Sequence, residues 1–213
     1  MVKVDSSFTQ FLERLQQVIA RLDLFPGWRP RKVRTLCGVD VSYQDRKAVA
    51  AAVLWTVGED KIIEVSQYRG EVSFPYIPGY LFFREAPLMI AAVKHLRLEP
   101  QLLLVDGHGL AHPRGAGLAI FVGLLLGRPT LGVAKSLLVG RIGPQKNSLA
   151  PISLKGKTVG FQVSPAIGRN YYVSPGYLVN VSDVPRITKM IGFSYPEALK
   201  EAHRISKVAV KSS

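Results

Sequence analysis

The stretch Val33-Arg34-Thr35-Leu36-Cys37-Gly38-Val39-Asp40-Val41-Ser42-Tyr43 decides the fold, because its run of apolar and β-branched residues predicts a long β-strand. Two more strand-like runs, residues 48–57 and 61–68, follow after short polar gaps, as an antiparallel meander requires. Further along, a strand at 101–105 and another at 130–134 enclose a helical segment. This order predicts an α/β fold with a central mixed sheet flanked by helices.

The helices are predicted from apolar spacing and from breaker residues. An amphipathic N-terminal helix is expected over 5–25, with Asp5 near its start and Pro26-Gly27 at its end, before a basic link at 29–32. The other expected elements are helices at 83–97, with Pro87 in the first turn, 114–126, 183–191 and 196–207, and short strands at 157–163 and 170–173. We expect one domain over 1–213, with a core at about 33–140 and C-terminal strands and helices at about 150–207.

The charge of the chain indicates a polyanionic partner. Lys and Arg number 28 against 15 Asp and Glu, a formal net charge of +13, and nucleic acid is the simplest partner for such an excess. The longest apolar stretch, residues 118–126, is too short to span a bilayer, and no signal peptide is visible at the N-terminus. The single cysteine, Cys37, predicts neither disulfides nor a cysteine zinc cluster. We therefore expect a cytoplasmic monomer that does not bind membranes.

Three acidic residues interrupt apolar segments: Asp40 in the first strand, Glu85 near the start of a helix, and Asp106 at the end of a strand. A buried carboxylate needs a positive partner, and each acid alone could meet an arginine or a lysine. If the first strand is central, the three side chains can share one cavity, where their mutual repulsion calls for a divalent cation. Mg²⁺ or Mn²⁺ suits such an all-oxygen site.

Three segments carry further candidates. In residues 106–113, two glycines separated by one residue allow a ligand to approach the backbone, and His112 could contact phosphate or assist proton transfer, although a tight turn with an exposed histidine is the ordinary alternative. Lys135 ends an apolar strand, where its ammonium could meet an anion or extend to water. The aromatic, proline-stiffened loop 73–79 could insert between bases, or simply pack on the core.

Several short motifs, taken together, resemble the endonuclease V family, which acts on deaminated adenine and nicks the strand on its 3′ side. They occur in the family's order and span about residues 5–207: Gly38-Val39-Asp40-Val41-Ser42-Tyr43, Pro75-Tyr76-Ile77-Pro78-Gly79, Phe83-Arg84-Glu85-Ala86-Pro87, Val105-Asp106-Gly107-His108-Gly109-Leu110-Ala111-His112-Pro113 and Gly132-Val133-Ala134-Lys135-Ser136.

This resemblance implies a ribonuclease H-like fold in which Asp40, Glu85 and Asp106 bind catalytic Mg²⁺, with Lys135 and His203 as further catalytic residues. It also implies that Tyr76 separates the strands and that a flipped hypoxanthine is held beside it. The implied substrate-binding residues are Pro75, Tyr76, Ile77, Pro78, Gly79, Leu81, Gly107, Gly109, His112 and Leu138. The chain departs from the family at Tyr177, where histidine is common.

The expected reaction is metal-assisted hydrolysis of the second phosphodiester bond 3′ to the deaminated base, leaving 3′-hydroxyl and 5′-phosphate ends. DNA and RNA both remain open as the inosine-containing substrate, because contacts to a 2′-hydroxyl cannot be identified in a sequence. The rivals are a junction resolvase or ribonuclease H of the same fold, a non-enzymatic nucleic-acid reader, and a small-molecule α/β enzyme. A junction resolvase or a ribonuclease H would not need residues 75–78, and a non-enzymatic reader would have no use for three buried carboxylates.

Overall fold

A computed structural model describes residues 5–25, 28, 32–72 and 74–212. Three parts of the sequence discussed above lie outside these described residues: the expected helix end at Pro26-Gly27, most of the basic link at 29–32, and Ser73. The nine strands are β1 Thr35–Gln44, β2 Lys47–Thr56, β3 Lys61–Glu71, β4 Leu102–Asp106, β5 Thr130–Ala134, β6 Arg141–Ile142, β7 Leu149–Leu154, β8 Lys157–Val163 and β9 Tyr171–Pro175. The α-helices are α1 Ser6–Ile19, α2 Leu81–Lys94, α3 Leu118–Leu126, α4 Val184–Met190 and α5 Glu197–Lys211, and a short 3₁₀ helix covers Val181–Asp183.

All nine strands form one mixed sheet in the order β3-β2-β1-β4-β5-β9-β8-β7-β6. The first three strands pair antiparallel, which confirms the predicted meander. β1, β4 and β5 run parallel in the centre, and the remaining pairs are antiparallel. The predicted α/β class with a central mixed sheet is thus confirmed. No helix within the described ranges is long and apolar enough to cross a membrane.

Side chains alternate between the two faces of the central strands. Cys37 and Val39 of β1 pack in the core that contains α2 and α3, while Leu36 belongs to the core that contains α4 and α5. Gly38 lies against α5, where a Cβ would collide with the backbone of Ala198. Glycine at this position allows α5 to approach β1 closely. The sheet is thus covered by α2 and α3 on one face and by α5 on the other.

Several predicted boundaries are wrong at their ends. Helix α1 stops at Ile19 rather than near residue 25, because the following turn leads to Leu24, whose carbonyl accepts from Leu178. Helix α2 begins at Leu81, so Pro87 lies inside the helix and not in its first turn. Helix α3 begins at Leu118 rather than at 114, because residues 107–117 close a tight loop in which the His108 carbonyl accepts from Ala119.

The sequence-based description of the C-terminal region missed two strands, β6 and β7. Proline weakens a strand prediction because it has no N–H for the sheet, and Pro151 lies in the middle of β7. The C-terminal strands extend the central sheet beyond β5, and α5 returns to pack on β1 and β2. This return brings residues from the two ends of the chain together.

Candidate active site at the ends of two parallel strands

The ends of β1 and β4 bring two acidic side chains together. These strands are parallel neighbours in which Val39 lies opposite Val105, so Asp40 and Asp106 follow at the same edge of the sheet. Alternation directs both side chains to the α5 face. Their carboxylates and the ring of His203 offer ligand atoms that all lie within 4.8 Å of one another. Residues separated by 163 positions in the sequence thus form one cluster.

Helix α5 supplies the histidine of this cluster. His203 Nδ1 lies 2.7 Å from Asp40 Oδ2, and about half of the His203 side chain remains exposed. The close approach of α5 at Gly38 places the helix where this contact can form. Asp40 itself is buried. Burial and the nearby charge of Asp106 raise the pKa of its carboxyl group, whereas the hydrogen bond to His203 acts to lower that pKa.

Glu85 approaches the same edge from helix α2, on the other face of the sheet. Its side chain is buried, and its oxygens are outside the 4.8 Å group. Burial, together with the charges of Asp40 and Asp106, raises the pKa of Glu85 to about 8, although an interaction with the Tyr43 hydroxyl acts to lower it. The three acids therefore repel one another across the strand ends, although Glu85 is the most distant member.

The donors at this edge fit a hard divalent cation. Carboxylate oxygens predominate, one imidazole nitrogen joins them, and their convergence leaves negative charge to be neutralised. The buried Tyr43 hydroxyl is a further polar group beside Glu85, and its interaction with that carboxyl group acts to lower the pKa of Glu85. A cation held by the acids would reduce the repulsion that raises their pKa values. The cluster is thus a candidate metal centre.

Lys135 lies at the end of β5 next to the cluster. Its Nζ is 3.2 Å from Asp106 Oδ2 and 5.7 Å from the centre of the Tyr195 ring, and more than half of its side chain is exposed. The Tyr195 hydroxyl is buried without a hydrogen-bond partner in the described part of the chain. Burial, followed by the charges of Asp106 and Asp40, raises the pKa of Tyr195. No sequence pattern pointed to Tyr195.

A separate cavity of about 170 Å³ opens on the face of the sheet covered by α2 and α3. Seven of the residues predicted to bind substrate line it: Tyr76, Pro78, Gly79, Leu81, Gly107, His112 and Leu138. Tyr76 is 68% exposed. Because Gly107 directly follows Asp106, this cavity adjoins the acidic cluster.

Pro75, Ile77 and Gly109, which were also predicted to bind substrate, do not line this cavity. The Gly109 N–H donates to Ser174 Oγ at 2.8 Å, and a Cβ on Gly109 would collide with the Pro175 carbonyl. In this structure Gly109 thus allows the loop to pack closely against β9. Tyr177, where the chain departs from the family, donates its N–H to Thr130 and lies outside the cavity.

Sequence reasoning missed six residues that line the cavity: Gln16, Phe82, His108, Gly117, Leu118 and Ser136. Gln16 is fully buried, and its Nε2 donates to the carbonyls of Gly79 at 3.0 Å and Ala116 at 2.8 Å. Its side-chain oxygen accepts from Arg114. One signal was available, because Gln16 is a polar residue at helical spacing from the apolar residues Leu12 and Ile19.

Of the two histidines of the cavity wall, His112 is buried and His108 is half-buried, and both favour the neutral form. Burial and the charge of Arg114 lower the pKa of His112 to about 4, and burial also lowers the pKa of His108. His112 Nδ1 accepts from the backbone N–H of Arg114 at 3.3 Å, which fits an unprotonated Nδ1. At neutral pH His112 can therefore act as a hydrogen-bonding group rather than as a charged contact to phosphate.

A central mixed sheet with acids at the ends of adjacent parallel strands, together with a strong basic charge, defines a metal-dependent nuclease of the ribonuclease H-like class. A family model described as Endonuclease V matches residues 14–204. The endonuclease V of Saccharolobus islandicus is 39% identical over 208 residues, which cover 98% of this chain and 99% of that protein. The chain therefore belongs to the endonuclease V family.

Another relative and two solved structures agree. The endonuclease V of Sulfolobus acidocaldarius is 40% identical over 198 residues, covering 93% of this chain and 94% of that protein. The Streptomyces avermitilis endonuclease V structure has a TM-score of 0.83 at 32% identity, covering 98% and 94% of the two chains. The Ciona intestinalis endonuclease V, in a complex with a 24mer DNA containing an inosine followed by a ribo-adenosine, has a TM-score of 0.83 at 25% identity, covering 98% and 99%.

Proposed function

We propose that this chain nicks DNA that contains deaminated adenine, hydrolysing the second phosphodiester bond 3′ to the hypoxanthine and leaving 3′-hydroxyl and 5′-phosphate ends. The observation that carries this proposal is the adjacency of two sites, the acidic cluster at Asp106 and the cavity that begins at Gly107. One nucleotide strand could place a base in the cavity and a phosphate at the acids. The inosine-containing DNA bound by the Ciona relative supports this choice of substrate.

The metal proposed for the cluster is Mg²⁺, for which Mn²⁺ could substitute, held by Asp40, Asp106 and Glu85. A bound Mg²⁺ would supply charge to the phosphate and acidify the attacking water. His203 holds the Asp40 carboxylate in position through their 2.7 Å contact. Lys135, only 3.2 Å from Asp106, is placed to steady the negative charge that develops on the phosphate.

Base selection is assigned to the cavity and the Tyr76 loop. The exposed Tyr76 would insert where the base leaves the stack. At the cavity wall, the Gly79 carbonyl already accepts from Gln16 and Arg114, which leaves the Gly79 N–H as the backbone group for the base. A neutral, buried wall of this kind would reject adenine if the amino group of adenine met a donor there.

RNA containing inosine is the second candidate substrate, because the DNA in the Ciona complex carries a ribonucleotide after the inosine. One chain supplies the residues of both the cluster and the cavity, and we include activity as a monomer in the proposal. A single, buried cysteine is compatible with the proposed cytoplasmic location.

The decisive experiment compares nicking of matched oligonucleotides that differ only in inosine or adenine, each prepared as DNA and as RNA. We expect Mg²⁺-dependent nicking of the inosine strands at the second bond on the 3′ side, and none in EDTA. Asp106→Ala should abolish nicking while inosine binding stays measurable. Glu201→Gln, which removes an acid from the surface of α5, is the matched control and should cut normally. Equal cutting of inosine and adenine strands would refute the proposal.

A further inference from the structure

A second concave surface lies beside the acidic cluster on the α5 face of the sheet. It is a groove of about 530 Å³ between the end of β1 and the last turns of α5. Its polar lining consists of Ser42, Tyr43, Gln44, His203, Lys207 and Lys211. Among the described residues that line it there is no acidic side chain. His203 belongs both to this groove and to the cluster, so the groove begins at the candidate metal centre.

The two lysines continue the line of His203 along α5. Lys207 and Lys211 follow His203 at successive intervals of four residues, so they share one side of the helix and are separated by about 6 Å along its axis. Both are exposed, and within the described residues neither takes part in an ion pair or hydrogen bond. The groove therefore presents two cations that nothing described here neutralises.

Other cations of the same helix are paired. Lys200 Nζ lies 2.6 Å from Glu197, and Arg204 Nη2 lies 2.7 Å from Glu201. Another groove on this face is lined by Lys135, Arg169 and Lys200, but Glu197 also lines it, and two of its cations are paired, Lys135 with Asp106 and Lys200 with Glu197. The groove of Lys207 and Lys211 differs from it because no described acidic side chain lines it or is paired with its lysines.

Contacts between α5 and the sheet fix the shape of this groove. The hydroxyls of Ser42 and Ser206 lie 2.8 Å apart, and the buried Ser206 hydroxyl donates to the His203 carbonyl at 3.0 Å. Near the end of the helix, Arg69 of β3 donates to the carbonyl of Ala209 at 3.0 Å. The lysines are thus carried by a helix that is tied to β1 and β3.

The groove and the base cavity lie on opposite faces of the sheet, and the acids lie between them. A nucleic-acid strand with one base in the cavity and a phosphate at Asp40 and Asp106 must cross the ends of β1 and β4 toward α5. We propose that the groove binds backbone phosphates of the substrate strand beyond the cleaved bond, on its 3′ side, with Lys207 and Lys211 as the cations. This inference rests on the proposed function and adds a subsite to it.

The test compares two inosine-containing single strands, one ending just after the cleaved bond and one extended on the 3′ side by about ten nucleotides. Binding is measured over a range of salt concentrations with Ca²⁺ in place of Mg²⁺. The native protein should bind the extended strand more tightly and with a steeper salt dependence. The double variant Lys207→Gln with Lys211→Gln should lose most of that gain. Because it makes two fewer phosphate contacts, its affinity for the extended strand should fall about sevenfold less than that of the native protein between about 50 and 200 mM salt.

Two controls make the result specific. The double change to arginine keeps both charges and should keep the gain, which shows that the glutamine variant has not failed by misfolding. Arg204→Gln removes one positive charge from the same helix at a site outside the groove, and it should keep the gain as well. The inference is overturned if the glutamine variant weakens both strands equally, or if Lys200→Gln removes the gain instead.

Failure of the proposed function would give a different result from failure of this subsite. If inosine strands stay uncut in Mg²⁺ but the gain in affinity from the 3′ extension depends on Lys207 and Lys211, then the proposed substrate is wrong while the assignment of the groove as a phosphate subsite stands. If inosine strands are cut at the second bond and the gain survives in the glutamine variant, then the groove is wrong and the function stands.

Discussion

The acidic cluster and the base cavity are adjacent, yet they are built in contrasting ways. The cluster consists of Asp40, Asp106 and His203 with Glu85 close by, and the repulsion among the three acids calls for a cation. The cavity consists of glycine backbone, apolar side chains and neutral histidine, drawn from several segments on the α2 and α3 face. Cutting should therefore depend on the charges of the cluster, and selection of the base should depend on the shape of the cavity. Substitutions in one region should then affect one of these two functions more than the other.

The largest effect is expected from breaking the cluster. Asn at position 40 keeps the size of the side chain and can keep the contact to His203, but it removes one negative charge from the proposed metal site. We expect Asp40→Asn to lower the single-turnover nicking rate by about a thousandfold or more while inosine binding changes little.

Asp60→Asn is the matched control, because Asp60 lies in the turn between β2 and β3 and contacts Trp55 rather than the cluster. Its nicking rate should equal that of the native protein. Loss of inosine binding in the Asp40 variant, together with its nicking, would show that the two regions are not separable.

A smaller effect is expected from changing the entrance of the cavity. Tyr76→Ala removes the exposed ring that we expect to replace the stacking of the flipped base, and stacking on an aromatic ring contributes about 1–3 kcal/mol. Nicking of inosine in duplex DNA should fall by roughly tenfold or more, and the preference for inosine over adenine should fall with it. The change is measured as the ratio of kcat/KM for the two substrates.

The wedge role predicts that this loss is greater in a duplex than in a single strand, where no partner base has to be replaced. Tyr68→Ala provides the control, since Tyr68 is another exposed tyrosine, on the edge strand β3, where it contacts His95. An unchanged inosine to adenine ratio in the Tyr76 variant would leave the loop with a packing role only.

The same contrast explains what could be predicted from the sequence. Asp40 and Asp106 were detectable because a charge inside an apolar strand is costly, and the strand pattern then placed both at one edge of the sheet. The cavity depends on loop closure between distant segments, which local patterns do not describe. His108 and Ser136 line it through the positions of their loops, and the true start of α3 depends on the His108 carbonyl.

Gln16 allows a sharper test of the cavity, with a modest expected effect. Gln16→Leu would remove the Gln16 donor from the Ala116 and Gly79 carbonyls and the acceptor of Arg114 Nε, and it would leave the Gly79 carbonyl only its bond from Arg114. Unsatisfied buried groups of this kind cost about 1–3 kcal/mol, so the free energy of unfolding in urea should fall by that amount.

Because Gly79 lines the cavity, the same Gln16 variant should also prefer inosine less strongly, while its nicking of bound substrate stays close to native. Gln10→Leu changes an exposed glutamine on the same helix and should alter neither property. A variant with native stability and native base preference would show that this hydrogen-bond network does not shape the cavity.

The smallest effect concerns how stability depends on pH, where the two regions should respond with opposite signs. Glu85 has a pKa raised to about 8, so its contribution to stability grows as the pH falls from 8 toward 4.5. His112 has a pKa lowered to about 4, so the unfolded chain takes up a proton first. Its contribution is complete above about pH 6.5 and is lost as the pH falls toward 4.

The difference in unfolding free energy between the native protein and His112→Gln isolates the cavity from the cluster, since Glu85 titrates in both proteins. That difference should decrease between pH 6.5 and 4, by at most about 1.4 kcal/mol per pH unit, because one proton is involved. Urea unfolding at several pH values measures it. Parallel stability curves for the two proteins would mean that His112 is protonated as readily in the folded state as in the unfolded chain, and that the cavity is not the neutral site described above.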